Sequence, residues 1–345
     1  MQTRALSRIA LMTLLLHPAA AIAADKVSVA TVGNSSDAGF FIADAKGHFK
    51  TEGLEVTFIP FDTAQRMLPS LGKGELDVGS GTASASLYNA AARDLGMKIV
   101  ADRSRTEPGN MFQTLMVRKA VIDSGRFKSY ADLKGLKIAL LAPGGSPSST
   151  LNEAAKKGGH SFADMETVFI GFPQQVAAFK NGAIDASIMI EPFATAIANA
   201  GDAVRFASTE DFYPNDQIGM VFFSERFIKE RRDVSTRFMK AYVRALRDYN
   251  DALKDGKFAP GPKGDAIVEI MSKGLGMPAA QIRAAYVQAL DPDGKPAIES
   301  LRKDLEFFKA QGFVTDPSVR VEQVLDLSLV EQAAKELGPW VAKRD

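Results

Sequence analysis

Three short loops rich in serine, threonine and glycine carry the groups of this sequence that are best suited to binding a small molecule. Each loop follows a predicted strand and precedes a predicted helix, so hydroxyl groups collect there beside backbone N–H groups. Such groups hydrogen-bond an anion or a polar acceptor without covalent chemistry. The candidate contact residues in these loops are Ser35, Ser36, Gly81, Thr82, Ser146, Ser148 and Ser149.

The third loop, residues 143–150, is informative because it has an explicit helix-start pattern. Ser146 is predicted to cap the helix that follows, and Pro147 suits the first helical position. The free N–H groups and the dipole at such a helix start favour a bound anion. Ordinary N-capping with surface serines explains this loop equally well when it is taken alone. The equivalent placement of the other two loops at strand ends favours binding.

Charged and aromatic residues that follow further strands are additional candidates. The carboxylate of Glu191 either accepts hydrogen bonds from a ligand or fixes the hinge by binding backbone N–H groups, and the structural role is slightly favoured. Arg103 and Arg105 could supply a cation for a carboxylate or a sulfonate, with an exposed loop as the alternative. Three phenylalanines could stack on a planar ligand, although a place in the core is favoured for Phe61, Phe172 and Phe193.

Catalytic chemistry has little support in the composition. The 345 residues include no cysteine and three histidines, which excludes thiolate catalysis, disulfides and cysteine-ligated zinc. His48 and His160 are predicted to lie in exposed turns, and no histidine–carboxylate cluster has metal-ligand spacing. A net charge of +1 gives no electrostatic basis for nucleic-acid binding. We therefore expect no enzyme activity, no catalytic or metal-binding residues, no cofactor and no nucleic-acid partner.

The elements that position these loops form one unit that occurs twice, with the copies about 110 residues apart. Residues 27–78 and 137–186 each contain a strand, a polar loop, a helix, a strand, a helix and a Gly-x-x-Asp strand. Parallel strands joined by helices present their loops at one edge of the sheet, and ligands bind beyond the carboxyl ends of such strands. The repeat therefore predicts two α/β lobes with a ligand cleft between them.

Two apolar extended segments are predicted to connect the lobes. Met111–Val117 crosses into the second lobe and Gln217–Phe223 returns, so the hinge has two strands. Lobe one is then residues 25–114 and 220–345, and lobe two is residues 115–219. The C-terminal helices are predicted to pack on lobe one. A chain of 345 residues with 46% apolar content is sufficient for two such cores.

The N-terminal segment has the pattern of a signal peptide, residues 1–23. Arg4 and Arg8 precede an apolar run that is too short to span a bilayer. A small-x-small pattern then predicts cleavage near Ala23 and Ala24. We expect export, and the lack of a lipid-anchor cysteine favours a Gram-negative periplasm.

Several short motifs occur in a fixed order along nearly the whole mature chain. They are Gly39-Phe40-Phe41-Ile42-Ala43, Gly47-His48-Phe49, Glu52-Gly53-Leu54-Glu55-Val56, Gly74-Glu75-Leu76-Asp77, Tyr130-Ala131-Asp132-Leu133-Lys134-Gly135, Asn181-Gly182-Ala183-Ile184-Asp185-Ala186 and Glu191-Pro192-Phe193. Together they resemble the nitrate/sulfonate/taurine-type solute-binding proteins of ABC transporters. The resemblance implies a type-II periplasmic-binding-protein fold with two Rossmann-like lobes. It also implies a monomer without turnover that delivers its ligand to an inner-membrane permease with a cytoplasmic ATPase.

The resemblance also implies a ligand on the three loops, and that ligand is expected to be a small organic anion. A sulfonate or a carboxylate, with or without an aromatic body, fits this expectation. Asp37 in the first loop departs from it, because its charge would repel a bare anion placed nearby. The Glu191-Pro192 pair is common in the family, and its carboxylate contacts the ligand in some pyrimidine binders.

Three alternatives stay open. The first is a binder of a thiamin-pyrimidine-like or other heterocyclic solute. The second is an enzyme on the same fold, against which the export signal argues. The third is a sensor that reports its ligand to a membrane partner.

Overall fold

A computed structural model describes residues 23–93 and 95–343 of the chain. The predicted signal peptide, residues 1–23, lies outside the described residues except for Ala23. Among the described residues, none of the helices combines the length and the apolar character that crossing a bilayer requires.

Two five-stranded sheets form the centres of two lobes, and a short two-stranded ribbon lies apart from them. The strands are β1 Asp25–Thr31, β2 Leu54–Pro60, β3 Val78–Gly81, β4 Met97–Arg105, β5 Gln113–Arg118, β6 Lys137–Leu140, β7 Glu166–Phe169, β8 Ala186–Ile190, β9 Ala203–Ser208, β10 Gln217–Ser224, β11 Leu253–Lys254 and β12 Lys257–Phe258.

Helices flank both sheets. They are α1 Ala38–Ala45, α2 His48–Thr51, α3 Ala64–Gly72, α4 Ala85–Ala91, α5 Lys119–Asp123, α6 Ser146–Lys157, α7 Phe172–Asn181, α8 Phe193–Ala200, α9 Glu225–Glu230, α10 Arg232–Asp251, α11 Pro262–Leu275, α12 Ala279–Ala284, α13 Ile298–Ala310 and α14 Ser328–Leu337. Short 3-10 helices cover Ser35–Asp37, Tyr130–Leu133, Phe162–Asp164, Thr209–Asp211 and Val321–Val324.

The two sheets have the same topology. The order is β2-β1-β3-β10-β4 in lobe one and β7-β6-β8-β5-β9 in lobe two. In each sheet the first three strands are parallel, and the fourth is antiparallel to both of its neighbours. The repeat in the sequence is thus confirmed as two α/β lobes, each of which presents polar loops at the carboxyl ends of its parallel strands.

The strands predicted to cross between the lobes each lie within one sheet. β5 pairs with β8 and β9 in lobe two, whereas β10 pairs with β3 and β4 in lobe one. The connections are instead the segments before these strands, residues 106–112 and 209–216. The Thr106 N–H donates to the Asp216 carbonyl at 2.9 Å, and the Asp216 N–H donates to Thr106 Oγ1 at 2.8 Å. The two connections therefore share one hydrogen-bonded junction.

The long helix α10 supports lobe one. Its apolar side chains recur at helical spacing and are buried, among them Phe238, Tyr242 and Leu246. The Phe238 ring lies 6.2 Å from that of Phe40 and 4.7 Å from that of Phe49. Since α14 also packs against α10, the prediction that C-terminal helices pack on lobe one is confirmed for these two helices.

Helix α13 differs because it contacts both lobes. It packs on α4 and β10 of lobe one and on α6 of lobe two. The ring of Phe307 on α13 lies 5.4 Å from that of Phe162 in lobe two. Lys303 Nζ lies 2.7 Å from Glu153 Oε2 on α6. The prediction therefore holds for α13 as well, and this helix in addition braces the junction between the lobes through its contacts with α6.

Candidate ligand-binding site

The polar loops of the two lobes meet at two points. Ser84 and Gly145 form an isolated antiparallel bridge, in which the Ala85 N–H donates to the Gly144 carbonyl at 2.8 Å. At the second point, Ser35 Oγ of lobe one donates to the carbonyl of Glu191 of lobe two at 3.3 Å. The structure thus brings together the loops that follow β1, β3, β6 and β8, which are the loops that the strand pattern predicted to face one another.

The start of α6 differs from the predicted capping pattern in a way that matters for binding. Gly145 is the N-cap, so Ser146 is the first helical residue and its side chain does not cap the helix. Pro147 has no N–H, and the Ser148 N–H already donates to the Gly145 carbonyl at 2.9 Å. The hydroxyl groups of Ser146 and Ser148 are fully buried and have no hydrogen-bond partner. An unpaired buried hydroxyl is unfavourable, and a ligand oxygen at this turn would satisfy both groups.

Ser149, the third predicted contact in this turn, is used within the protein. Its hydroxyl donates to Asp304 Oδ1 on α13 at 2.6 Å. The neighbouring Thr150 hydroxyl lies 2.9 Å from Asp216 Oδ2 at the junction. The Ser149 hydroxyl is therefore hydrogen-bonded at the junction, whereas the hydroxyls of Ser146 and Ser148 have no partner in the protein.

The loops of lobe one are supported by internal contacts. The Ser36 N–H donates to Asn34 Oδ1 at 3.1 Å, and Gln288 Nε2 donates to the Ser35 carbonyl at 2.8 Å. Thr82 is half-buried and lies before α4 without capping it, since Ser84 is the N-cap and accepts from the Leu87 N–H at 3.4 Å.

Gly81 has a packing explanation that is independent of any ligand. A Cβ atom built there would lie 2.2 Å from Ala64 Cβ, far closer than two carbon atoms can approach. Glycine at this position lets β3 and α3 pack together.

Arg103 is not a free cation for a ligand. Its Nε donates to Asp37 Oδ1 at 2.9 Å and its NH2 group donates to Asn34 Oδ1 at 2.9 Å. The side chains of Arg103 and Asp37 are 2% and 0% exposed. This buried ion pair shapes the first loop, and it also neutralises Asp37, so the predicted repulsion of an anion by Asp37 is removed.

Asp37 is further held by three hydrogen bonds. Its carboxylate accepts from the N–H groups of Val32 and Gly33 at 3.2 and 2.9 Å, and from Ser80 Oγ at 2.8 Å. Arg105, the other candidate cation, is paired with Glu107 and lies 3.4 Å from Asp291. Both arginines are therefore engaged by carboxylates of lobe one.

Glu191 adopts the structural role that its sequence context slightly favoured. Its carboxylate accepts from the Thr195 N–H and from Thr195 Oγ1, each at 3.0 Å, and it is paired with Arg205. The group of Glu191 that reaches lobe one is its backbone carbonyl, which accepts from Ser35. A ligand would therefore meet the turn after β8 through the backbone rather than through the carboxylate.

The aromatic candidates lie mostly in the core. The rings of Phe172 and Phe193 stack 5.8 Å apart within the core of lobe two, and Phe61 packs against the core that extends through both lobes. Within the described residues, no group of three or more histidine, cysteine, aspartate or glutamate side chains has the arrangement of a metal site.

A small cavity between the lobes contains residues that the sequence did not single out. It has a volume of about 20 Å³ and lies beside Ser35 and the Glu191-Pro192 turn. Gln288 on its wall is 1% exposed, and its Oε1 atom has no partner. The remaining wall is mainly apolar and comes from Tyr249, Phe258, Met271, Ile282, Ala285, Tyr286 and Val287. The spacing of these residues in the sequence shows no regular pattern that would indicate a site, because only tertiary packing brings them together.

Comparison with known proteins finds a relative and many similar folds. A curated protein of Escherichia coli (strain K12), named as an aliphatic sulfonates-binding protein, is 24% identical over 247 residues. That match covers 69% of this chain and 67% of the relative.

Among solved structures, the alkanesulfonate-binding protein SsuA from Xanthomonas axonopodis pv. citri, bound to MOPS, has a TM-score of 0.67 and 18% identity. The alignment covers 89% of this chain and all of that chain. The periplasmic nitrate-binding protein NrtA from Synechocystis PCC 6803 has a TM-score of 0.72 and 15% identity, with 91% and 89% of the two chains covered. The desulfurization enzyme DSZB has a TM-score of 0.59 and 14% identity over 91% of this chain and all of that chain.

These structural similarities confirm the two-lobed periplasmic-binding-protein fold. The model of the NMT1/THI5 like family matches residues 34–254, which is more than half of the chain and runs from the first polar loop to the ribbon after α10. The chain therefore belongs to the NMT1/THI5 like family.

Proposed function

We propose that this protein is an extracytoplasmic solute-binding receptor that delivers a small organic anion, a sulfonate or a carboxylate, to an ABC importer. The observation that carries the proposal is the pair of unpartnered buried hydroxyls of Ser146 and Ser148 at the start of α6. The positive end of the helix dipole favours negative charge at the same place. The relatives named for sulfonates and nitrate support this ligand class.

Binding proceeds through closure of the two lobes. Lobe one contains β1–β4 and β10, lobe two contains β5–β9, and the connections at 106–112 and 209–216 serve as the hinge. Ligand oxygens accept hydrogen bonds from the hydroxyls of Ser146 and Ser148, which replaces part of the ligand's hydration shell. The contacts between Ser84 and Gly145 and between Ser35 and Glu191 then hold the lobes together.

The small cavity beside Ser35 has room for about one water-sized group, so it accommodates only a small terminal group of the ligand. Its wall is mainly apolar, and the amide oxygen of Gln288 offers one acceptor to a donor group of the ligand. The receptor acts as a monomer in the periplasm, and its closed form presents a surface of both lobes to an inner-membrane permease with a cytoplasmic ATPase.

The experiment that tests this function compares ethanesulfonate with its neutral analogue ethanesulfonamide by calorimetry. We expect ethanesulfonate to bind and the sulfonamide to bind at least tenfold more weakly, which corresponds to about 1.4 kcal/mol. In the Ser146→Ala, Ser148→Ala double variant we expect at least the same tenfold loss for ethanesulfonate.

Ser86→Ala is the matched control, because Ser86 is an exposed serine on α4. Unchanged affinity in the double variant would contradict the role of the α6 turn. If no sulfonate, carboxylate, nitrate or pyrimidine stabilises the protein, the receptor function itself is wrong. Because a desulfurization enzyme shares the fold, the bound compound is also recovered and analysed, and we expect it unchanged.

A further inference from the structure

Two carboxyl groups are buried at the junction of the lobes, outside the candidate ligand contacts. Asp216 lies at the end of the second connection and Asp304 lies on α13, and both are 0% exposed. Asp304 Oδ1 accepts from Ser149 Oγ at 2.6 Å and from the Tyr213 hydroxyl at 2.7 Å. Asp216 Oδ2 lies 2.9 Å from the Thr150 hydroxyl. The second oxygen of each group, Asp216 Oδ1 and Asp304 Oδ2, has no partner.

The charged groups around Asp216 and Asp304 do not neutralise two ionised carboxylates. Lys303 is the cation that acts on both carboxyl groups, but its Nζ lies 2.7 Å from Glu153 Oε2 and 4.0 Å from the centre of the Tyr213 ring. Burial raises the pKa of the Tyr213 and Tyr88 phenols, so both stay neutral. Glu153 adds a further negative charge near Asp304.

Two ionised carboxylates in such a place are unfavourable, because like charges repel strongly in a low-dielectric interior. Burial raises the pKa of Asp304 to about 7. Burial, reinforced by the charge of Asp304, raises the pKa of Asp216 well above its usual range. Near neutral pH the pair therefore retains a proton, as other interacting carboxyl pairs do.

The pair is connected directly to the candidate site. Ser149 and Thr150 follow Ser148 in the first turns of α6, and their hydroxyls meet the two carboxyl groups. These contacts join α6 to α13 and to the hinge, so they determine how the hydroxyls of Ser146 and Ser148 are presented. An anion at the same turn adds a negative charge close to the pair, and that charge favours the protonated form.

We propose that Asp216 and Asp304 are positioning residues of the anion-binding turn and share one proton, so that the protein binds its anion together with a proton. This inference rests on the proposed function, since it assigns a role to residues that support the same site. It predicts that affinity for an anion of fixed charge decreases as the pH rises.

The experiment measures the affinity for ethanesulfonate between about pH 6 and about pH 8.5, a range in which the ligand keeps its charge and only the protein titrates. We expect wild-type affinity to fall about tenfold over this range, which corresponds to a rise of about one unit in the pKa of the pair on binding. Asp304→Asn keeps the acceptor for Ser149 and Tyr213 and reproduces the protonated pair. We expect its affinity to change less than about twofold over the same range.

Asp304→Ala removes the acceptor and should weaken binding at every pH. If this variant does not fold, Ser149→Ala removes the same hydrogen bond from the other side. Asp123→Asn, an exposed aspartate of lobe two, is the control and should follow the wild type. An equal pH dependence in wild type and Asp304→Asn would overturn the shared proton. Unchanged affinity in Asp304→Ala or Ser149→Ala would overturn the positioning role.

A measurement without ligand separates this inference from the proposed function. The folded pKa of the pair lies above the value of about 3.9 for an unfolded aspartate, so its stability contribution is fully present below about pH 3.9 and is lost as the pH rises from there to the folded value of about 7. The urea midpoint of the wild type should therefore fall over this range more than that of Asp304→Asn. Parallel urea curves for the two proteins would contradict the shared proton, whether or not ethanesulfonate binds. Failure of ethanesulfonate to bind to either protein would contradict only the proposed ligand.

Discussion

The first loop of lobe one and the first turn of α6 in lobe two have similar compositions but opposite hydrogen-bonding states. In lobe one the polar groups are satisfied internally, around the buried pair of Asp37 and Arg103. In lobe two the hydroxyls of Ser146 and Ser148 are equally buried but have no partner. Two loops that occupy equivalent places in a repeated fold can thus have different roles. One is a rigid support, and the other keeps its bonding capacity for a ligand.

The largest effect that would test this comparison is expected at Arg103. Arg103→Met leaves the carboxylate of Asp37 buried without its cation, which should lower the free energy of unfolding by about 3–5 kcal/mol. Urea denaturation measures the loss. Arg66→Met is the control, because Arg66 is 72% exposed and its pair with Asp62 contributes little. A loss at Arg103 no larger than at Arg66 would show that the first loop is not held by this ion pair.

A smaller effect is expected at Ser80, the lobe-one serine whose hydroxyl donates to Asp37 at 2.8 Å. Ser80→Ala removes a buried hydrogen bond to a charged group, so the free energy of unfolding should fall by about 2 kcal/mol. The affinity for ethanesulfonate should change less than about twofold.

The comparison predicts the reverse for the serines of lobe two. Ser148→Ala removes a hydroxyl that has no partner in the protein, so the stability should stay within about 0.5 kcal/mol while the affinity falls. If Ser80→Ala impaired binding and Ser148→Ala impaired only folding, the assignment of support and binding to the two lobes would have to be exchanged.

The smallest effect is expected at the contact between the lobes. A Cβ atom at Gly144 would lie 3.1 Å from Ala85 Cβ and 3.4 Å from Phe313 Cγ. Gly144→Ala should therefore hinder closure and weaken ethanesulfonate binding by about 1 kcal/mol, or roughly fivefold.

Gly159→Ala provides a matched control for that variant. Gly159 has a positive φ of 78°, compared with 61° at Gly144, but a Cβ atom there would meet nothing within 4 Å. Both variants should lose about 1 kcal/mol of stability because an L residue is unfavourable in the left-handed region. Equal affinities in the two variants would mean that this contact does not form on binding.

The arrangement of strands, and with it most of the fold, could be predicted from the sequence. Apolar runs followed by polar loops recur in residues 27–78 and 137–186, and each run became a strand of the expected sheet. The predicted positions of the loops also follow, because parallel strands present their carboxyl ends at one edge. These features depend on local patterns that repeat along the chain.

The helix caps show where local patterns were insufficient. Ser146 was predicted as a cap, and Thr82 stands in the corresponding loop of lobe one, but Gly145 and Ser84 are the N-caps. Several neighbouring residues in each loop have suitable side chains, so the local sequence does not single out the cap, and both observed caps take part in the Ser84–Gly145 bridge between the lobes. Displacement of Ser146 from the cap is also what leaves its hydroxyl unpaired.

The residue pattern alone indicates that hydroxyl-rich loops stand at the ends of two sets of parallel strands in one family of two-lobed proteins. Which of those hydroxyls already have hydrogen-bond partners depends on tertiary packing. The partner of Ser149 is 155 residues away at Asp304, and Arg103 reaches Asp37 across 66 residues. A hydrogen bond forms between groups that packing brings within about 3 Å, and separation along the chain gives no measure of that distance.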